Sequence, residues 1–284
     1  MTMTFEPATP EPAAVEPPTA EPPAAEPATA EPPVADPPTP APAGAPARPV
    51  AAVLDRMQQV LDAIPADLPH RRFFAGTYLR TTRAVGDAVD QARFEDPDWV
   101  ERWDVAFADL YLDAAADEAN APRPWRLAFR APAELPQIRH VLLGINAHIN
   151  YDLPQALLAV ISDDDFADPV LMARRHRDHE RIDGVLSARV GQEDGEFVDW
   201  TLLDRLLLPL NHRASRRFLA ESRRKVWHNT EQLQLARVAG PQAYRRRLAE
   251  LEVLSAAKIA DLLAPGQVLL RLAVSGFGVS LPPE

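Results

Sequence analysis

The sequence contains no cysteine and only two lysines among its 284 residues. The absence of cysteine excludes disulfide bonds and thiolate metal ligands, and a reduced compartment is therefore expected. No apolar run reaches the ~18 residues that a transmembrane helix needs. The first residues also lack the basic and apolar regions of a secretory signal. These absences predict a cytoplasmic protein without a membrane span.

Acidic residues outnumber basic ones by 41 to 30, and the formal net charge is −11. Residues 1–47 contain seven acids and no base, so they contribute −7 of that charge. The remainder of the chain is only mildly acidic, and it lacks the strongly basic character of a nucleic-acid-binding protein. We therefore expect no nucleic-acid partner.

Proline is abundant, but 16 of the 30 prolines precede residue 50. In the same stretch an acid recurs every five residues from Glu6 to Asp36, with proline and alanine between the acids. Such a segment has little apolar surface to bury, and proline removes backbone donors, so it is expected to stay disordered. We predict a disordered Pro/Ala/Glu tail at residues 1–48 and a helical domain at residues 49–284.

The rest of the chain shows helical periodicity and none of the patterns of β-hairpins or βαβ units. Helices are expected at about 53–64, 71–94, 97–119, 138–161, 169–190, 200–210, 213–238 and 242–263. Asp96-Pro97 and Asp168-Pro169 each combine an N-cap residue with proline at the first helical position. The last apolar stretch, VLLRLAVSGFGV, is compatible with a strand or with a packed tail. We predict one all-α, bundle-like domain of about seven helices around a buried central helix.

The central helix, IRHVLLGINAHINYDLPQALLAVI at residues 138–161, is apolar on every side, which is typical of a buried helix. Its middle nevertheless carries four polar residues that are costly to bury without partners. Asn146 and Asn150 lie one turn apart on one side, and we expect this stripe to satisfy backbone groups of loops. His148 and Asp152 form a second stripe, which is the candidate for function.

Asp152 is expected to need a cation. Pro154 lacks an N–H and disfavours helical geometry at Leu153, so the helix should end or kink just past Asp152. A carboxylate at a helix C-terminus faces the negative end of the helix dipole. Its partner would be an arginine, a protonated histidine or a metal ion. The arginines considered for a purely structural pairing are Arg80, Arg83 and Arg223.

The His-x3-Asp spacing occurs twice, at His148/Asp152 and at His179/Asp183. On a helix this spacing puts both side chains on one face, one turn apart. An imidazole and a carboxylate so placed can ligate one metal ion, or the carboxylate can orient the imidazole as a base. Two helices that present such pairs to a shared interior are how metal sites in helical bundles are assembled.

The stretch LLGINAHINYDLPQAL resembles the hallmark of an uncharacterised, mainly actinobacterial family of helical proteins, a domain of unknown function. The segments FFAGTYLRTTRAV and FEDPDWVERWDVAFADLY and the arginine-rich helix with Trp227 extend the resemblance from about Val50 to the C-terminus. The resemblance implies a compact helical domain and brings no known activity.

The two His-x3-Asp motifs, the first followed by proline, are also similar to the zinc-ligand helices of the phospholipase C and P1 nuclease superfamily. Those helical enzymes bind three zinc ions with histidine and aspartate. This chain departs from them, because Leu157 and Leu158 stand where they have another histidine, and its N-terminal tail has no counterpart of their N-terminal ligand. The resemblance therefore implies a reduced site of one or two metals.

Two hypotheses of different classes follow. In the first, the protein is a metal-dependent, phosphoesterase-like hydrolase in which His148, Asp152, His179 and Asp183 bind a divalent metal such as zinc. His148 and Asp152 are then the catalytic candidates. In the second, it is a non-catalytic binding or scaffold protein whose buried His/Asn/Asp network only stabilises the core. The histidines for which the sequence shows no partner are His70, His140, His212 and His228.

Overall fold

The computed structural model describes residues 50–189, 212–266 and 268–283. Every regular element in these ranges is a helix, so the predicted all-α fold class is confirmed. None of the helices in the described ranges has the length and apolarity needed to cross a membrane. The predicted tail at residues 1–48 and the helix expected at 200–210 lie outside these ranges.

The first half of the domain is built from four helices. They are α1 at Val50–Ala63, α2 at Arg71–Asp90, α3 at Pro97–Ala116 and α4 at Arg123–Phe129. The Asp96 side chain accepts the Trp99 N–H at 3.1 Å, so the predicted Asp-Pro start of α3 is confirmed. Helices α1, α2 and α3 pack against one another and bury a core rich in aromatic rings.

Seven further helices follow in the described residues. They are α5 at Gln137–Ala147, α6 at Leu153–Val160, α7 at Asp163–Ala167, α8 at Pro169–Arg189, α9 at His212–Ala239, α10 at Pro241–Leu263 and α11 at Val268–Ser275. Asp168 Oδ1 accepts the N–H groups of Val170 and Leu171, which confirms the predicted start of α8. The C-terminal apolar stretch begins as a helix, α11, and only its last residues form an extended segment.

The central segment is one helical path from Gln137 to Val160, made of α5, a π-helical turn at His148–Asp152 and α6. The helix does not end past Asp152, because α6 follows the π turn directly at Leu153. The Leu153 N–H donates to the His148 carbonyl five residues back, so a widened turn directly precedes Pro154, which has no N–H. Such π turns occur often at functional sites. Asp152 therefore precedes α6 as its N-cap residue, and the expected conflict with a helix C-terminus does not arise.

Other helices enclose this path. Helices α2, α4 and α10 pack against α5, and α3 and α9 pack against α6. At Gly144 a Cβ atom would lie 2.3 Å from the ring of Phe74. Glycine is required there because α2 approaches the backbone of α5 so closely. The contact brings the Phe74 ring to the start of the π turn.

Candidate functional site

The π turn places His148 and Asp152 side by side in the core. His148 Nδ1 lies 2.8 Å from Asp152 Oδ2, and the two residues are 3% and 1% exposed. The same oxygen accepts the indole N–H of Trp125 at 2.8 Å. The partners that the structure gives Asp152 are thus an imidazole and an indole, and the histidine was one of the three alternatives considered from the sequence.

Burial decides the protonation of this pair. It raises the pKa of Asp152 well above its usual value, and the Trp125 hydrogen bond opposes the shift. It also lowers the pKa of His148 well below its usual value. Both shifts favour uncharged groups, so the pair is neutral as a whole and shares one proton along its hydrogen bond. In this arrangement a proton neutralises Asp152.

Aromatic rings surround His148. Phe107 stacks on the imidazole with ring centroids 3.5 Å apart and planes 6° apart, and Tyr78 meets it edge-on at 4.3 Å. Three more rings lie at 5.8–6.2 Å, those of Phe74, Tyr111 and Trp125. Within the described residues His148 Nε2 has no hydrogen-bond partner. The imidazole thus keeps one nitrogen free, but it is shielded from solvent by its neighbours.

The asparagine stripe binds the C-terminal segment, as expected for a stripe that satisfies backbone. Asn146 Nδ2 donates to the Leu142 carbonyl at 3.0 Å, and Asn146 Oδ1 accepts from Asn150 Nδ2 at 3.0 Å. Asn150 also donates to the Phe277 carbonyl and accepts the Val279 N–H, both at 3.2 Å. These bonds account for both buried amides, and their role is structural.

The second His-x3-Asp pair lies on α8. His179 is fully buried and packs against Trp103 and Trp227, with ring centroids at 6.5 and 5.6 Å. Burial lowers its pKa well below the usual value. The Asp183 side chain lies outside the described residues, so the ligand set of His148, Asp152, His179 and Asp183 stays a prediction. In the part of the chain that the structure describes, no group of three or more His, Asp or Glu residues is arranged to hold a metal ion.

Asp104 is a further buried acid that no sequence motif marks. It is 3% exposed, and its burial, together with Glu101, raises its pKa to about 8. Burial and the nearby Asp104 also raise the pKa of Tyr78 well above its usual value. A signal was present in the sequence, because Asp104 lies on the apolar stripe of α3 between Val100 and Phe107. A carboxylate on such a stripe is unusual.

A cavity of about 270 Å³ lies beside the His148–Asp152 pair, where α1, α2, α3 and α4 meet α5. Phe74, Tyr111 and Trp125 line it, and the same three rings surround His148. Much of the remaining wall is apolar and includes Val60, Ala63, Ile64, Ala115, Ala128 and Phe129. A molecule in the cavity would touch the indole that donates to Asp152.

Two histidines and an arginine supply polar groups to the cavity wall. The rings of His70 and His140 lie 4.8 Å apart, although 70 positions separate them in the sequence. His70 Nδ1 and His140 Nε2 have no hydrogen-bond partner among the residues described. Arg71 is paired with Glu118 at 2.8 Å and lies over the ring of Phe129. An apolar body with a few convergent polar groups is typical of small-molecule sites.

The profile of a family described as a family of unknown function (DUF5995) matches residues 50–265, which are 216 of the 284 residues. The matched range includes the His148–Asp152 pair and every residue of the cavity wall. No curated protein and no solved structure matches the chain.

Proposed function

We propose that this chain, which belongs to the family of unknown function DUF5995, is a helical protein that binds a small, largely apolar molecule. The binding site is the cavity beside the His148–Asp152 pair. The cavity itself carries the proposal, since it combines a volume of about 270 Å³, an aromatic wall and unpartnered imidazole nitrogens. Cavities of about 150 Å³ with apolar walls already bind benzene.

The size of the cavity suits a molecule with one substituted ring. At ~25 cal/mol per Å², burial of roughly 160 Å² of ligand surface contributes about 4 kcal/mol. This free energy corresponds to a dissociation constant on the order of 1 mM for an unsubstituted apolar ring. Tighter binding then requires polar contacts.

In this proposal the His148–Asp152 pair positions the wall of the site. Trp125 lines the cavity, and its indole N–H is held by Asp152 at 2.8 Å. The bond fixes the orientation of the indole plane, and the stacked Phe107 ring fixes His148 in turn. The burial of both partners supports a positioning role over direct contact with a substrate.

Toluene is the simplest probe of the cavity. We expect the wild-type chain to bind it saturably in an NMR titration, and Ala115→Leu to weaken binding by about tenfold or more because the added side chain fills part of the cavity. Ala260→Leu is the matched control, since Ala260 is exposed on α10 and does not line the cavity. Absence of saturable binding to the wild type, or equal binding to both variants, would contradict the proposal.

Metal-dependent hydrolysis is a second candidate. His148 Nδ1 is bonded to Asp152, and Nε2 has no partner in the described residues. This is the arrangement of a catalytic or ligating imidazole when the shared proton lies on Nδ1, which leaves the lone pair on Nε2. A metal held by His148, Asp152, His179 and Asp183 would have to displace the proton that the first pair shares. Metal analysis of the purified protein tests this candidate. Stoichiometric zinc, manganese or iron that is lost in His148→Ala would support it, and metal-free wild-type protein would leave the binding protein as the better proposal.

A further inference from the structure

Two imidazoles in the cavity wall, those of His70 and His140, each have one nitrogen without a partner among the described residues. His70 and His140 are 6% and 5% exposed, and their rings lie 4.8 Å apart. In the described part of the chain no group bonds to His70 Nδ1 or to His140 Nε2. A buried polar atom without a partner destabilises the folded chain, because it has lost its hydrogen bonds to water. A bound molecule that supplies a partner removes this destabilisation.

The tautomer of His140 follows from its other contacts. The backbone at Ala133 and Leu135 acts to raise the pKa of His140, as an acceptor of a ring N–H does, and Nε2 has no partner among the described residues. We therefore assign the proton to the other ring nitrogen, Nδ1. Burial and the neighbouring His70 lower the pKa of His140, so the ring carries one proton at neutral pH. His140 Nε2 then presents a lone pair and acts as an acceptor.

The charge of the site argues against an anionic ligand. Arg71 is the cation in the cavity wall, and its guanidinium is paired with Glu118 at 2.8 Å. Glu118 already balances the charge of this guanidinium, so an anion in the cavity would give the site a net negative charge, although Arg71 Nε has no partner among the described residues. An anion would also place a negative charge next to the lone pair of His140.

We infer that the ligand is a neutral aromatic alcohol, such as a phenol, whose hydroxyl group donates a hydrogen bond to His140 Nε2. The inference rests on the proposed function, because it assigns a polar group to the molecule bound in the cavity. A hydroxyl group can donate to one imidazole and accept from another, so a single group can serve both His140 and His70. The aromatic ring of the ligand then lies against Phe74, Tyr111 and Trp125.

Four small probes separate the contributions in titrations of the wild-type chain. We expect p-cresol to bind about tenfold more tightly than toluene, the effect of one buried hydrogen bond. The methyl ether 4-methylanisole keeps the oxygen but lacks the donor, so it should bind no more tightly than toluene. The carboxylate p-toluate should bind more weakly than p-cresol. These comparisons need no variant and do not depend on the folding of a mutant.

Two variants test whether the tighter binding of p-cresol than of toluene depends on His140 Nε2. His140→Phe keeps a ring at this position and removes Nε2, so we expect it to bind p-cresol and toluene equally. His176→Phe is the matched control, because His176 is partly exposed on α8 and lies outside the cavity wall. It should retain the preference of the wild type for p-cresol.

The outcomes distinguish this inference from the proposed function. If neither p-cresol nor toluene binds, both fail. If both bind with equal affinity, the cavity is a ligand site and the inference about the hydroxyl group is wrong. Tightest binding of p-toluate would make it an anion site at Arg71. Zinc binding that is lost in His140→Phe would make the two imidazoles metal ligands, and it would also overturn the inference.

Discussion

Burial keeps several ionisable side chains of the core in their uncharged forms. It raises the pKa values of Asp152 and Asp104 and lowers those of His148 and His179. Each shift has burial as its largest cause, because removal from water penalises the charged form of an acid and of an imidazole alike. Of these four groups, His148 and Asp152 are hydrogen-bonded to each other, whereas Asp104 Oδ2 and both nitrogens of His179 have no partner among the described residues.

Trp125→Phe should destabilise the chain more than the same substitution at another buried tryptophan. The substitution removes the N–H that Asp152 accepts and leaves His148 as the hydrogen-bond partner of the buried acid among the described residues. Trp103→Phe is the matched control, because Trp103 is equally buried and its Nε1 has no partner among the described residues. We expect the free energy of unfolding, measured with urea, to fall by about 1–3 kcal/mol more in Trp125→Phe. Equal losses would show that the indole bond contributes nothing.

Asp104→Asn should change how stability depends on pH. With a folded-state pKa of about 8, Asp104 keeps its proton in the folded chain over a range where the unfolded chain has lost it. The wild type thus loses stability as pH rises from about 4 to about 8, by about 1.4 kcal/mol per pH unit for this group. The variant lacks this contribution. The free energy of unfolding of Asp104→Asn minus that of the wild type should therefore increase as pH rises from about 4 to about 8, and it should be constant above about pH 8.

Urea denaturation of both proteins at several pH values measures this difference directly. The other buried groups titrate in both proteins, so their contributions cancel in the comparison. A difference that does not vary with pH would mean that Asp104 is ionised in the folded chain, contrary to its burial without a partner for Oδ2 in the part of the chain described.

At the level of elements, the central segment and α9 together bind the extended C-terminal residues. Asn150 pairs with the backbone of Phe277 and Val279. Asn229 on α9 makes the same pair of bonds two residues further along the segment. It donates to the Val279 carbonyl at 2.9 Å and accepts the Leu281 N–H at 2.8 Å. Each amide thus satisfies one carbonyl and one N–H, as a neighbouring strand would.

A disulfide between Lys225→Cys and Gly278→Cys should tether this C-terminal segment to α9. A Cβ atom at Gly278 would lie 3.4 Å from Lys225 Cβ, close to the Cβ separation of natural disulfides. The bond would close a loop of about 53 residues, for which a stabilisation of about 2–4 kcal/mol is expected. Because the chain has no other cysteine, the intended pair has no competitor within the chain.

Thermal unfolding of the double variant under oxidising and reducing conditions checks this expectation. The reduced protein is its own control, since both forms have lost the Lys225 contacts with Glu221 and Gly278. A melting temperature that does not rise on oxidation, despite a formed disulfide, would show that the segment is not held against α9 in the way described.

For the whole molecule, the boundary at residue 49 stays a prediction, as do the cytoplasmic location and the absence of a nucleic-acid partner. We expect a chain of residues 49–284 to melt within about 2 °C of the full chain, because a proline-rich acidic tail buries almost no apolar surface. Circular dichroism melts of the two chains at equal concentration test this. A large drop in melting temperature would assign part of the folded domain to residues 1–48.

Local rules predicted the elements well. The two Asp-Pro starts follow from interactions within a few residues, and those interactions are the same in a short peptide and in the folded chain. The central helix follows from its apolar pattern, which is typical of a buried helix. The end predicted at Asp152 failed for a physical reason. The rule for proline assumes α-helical hydrogen bonds, and the π turn removes the conflict by widening the helix just before Pro154.

The sequence by itself determined an all-α domain, its central helix and the side-by-side placement of His148 and Asp152, since all of these depend on helical spacing. Only the tertiary structure decided what the pair contacts and where a ligand fits. Trp125 reaches Asp152 from 27 positions away, and His70 meets His140 across 70 positions. Such contacts depend on how the helices pack, which local spacing does not encode. The raised pKa of Asp152 is also a result of the tertiary structure, because it is caused by burial, which is a property of the assembled core.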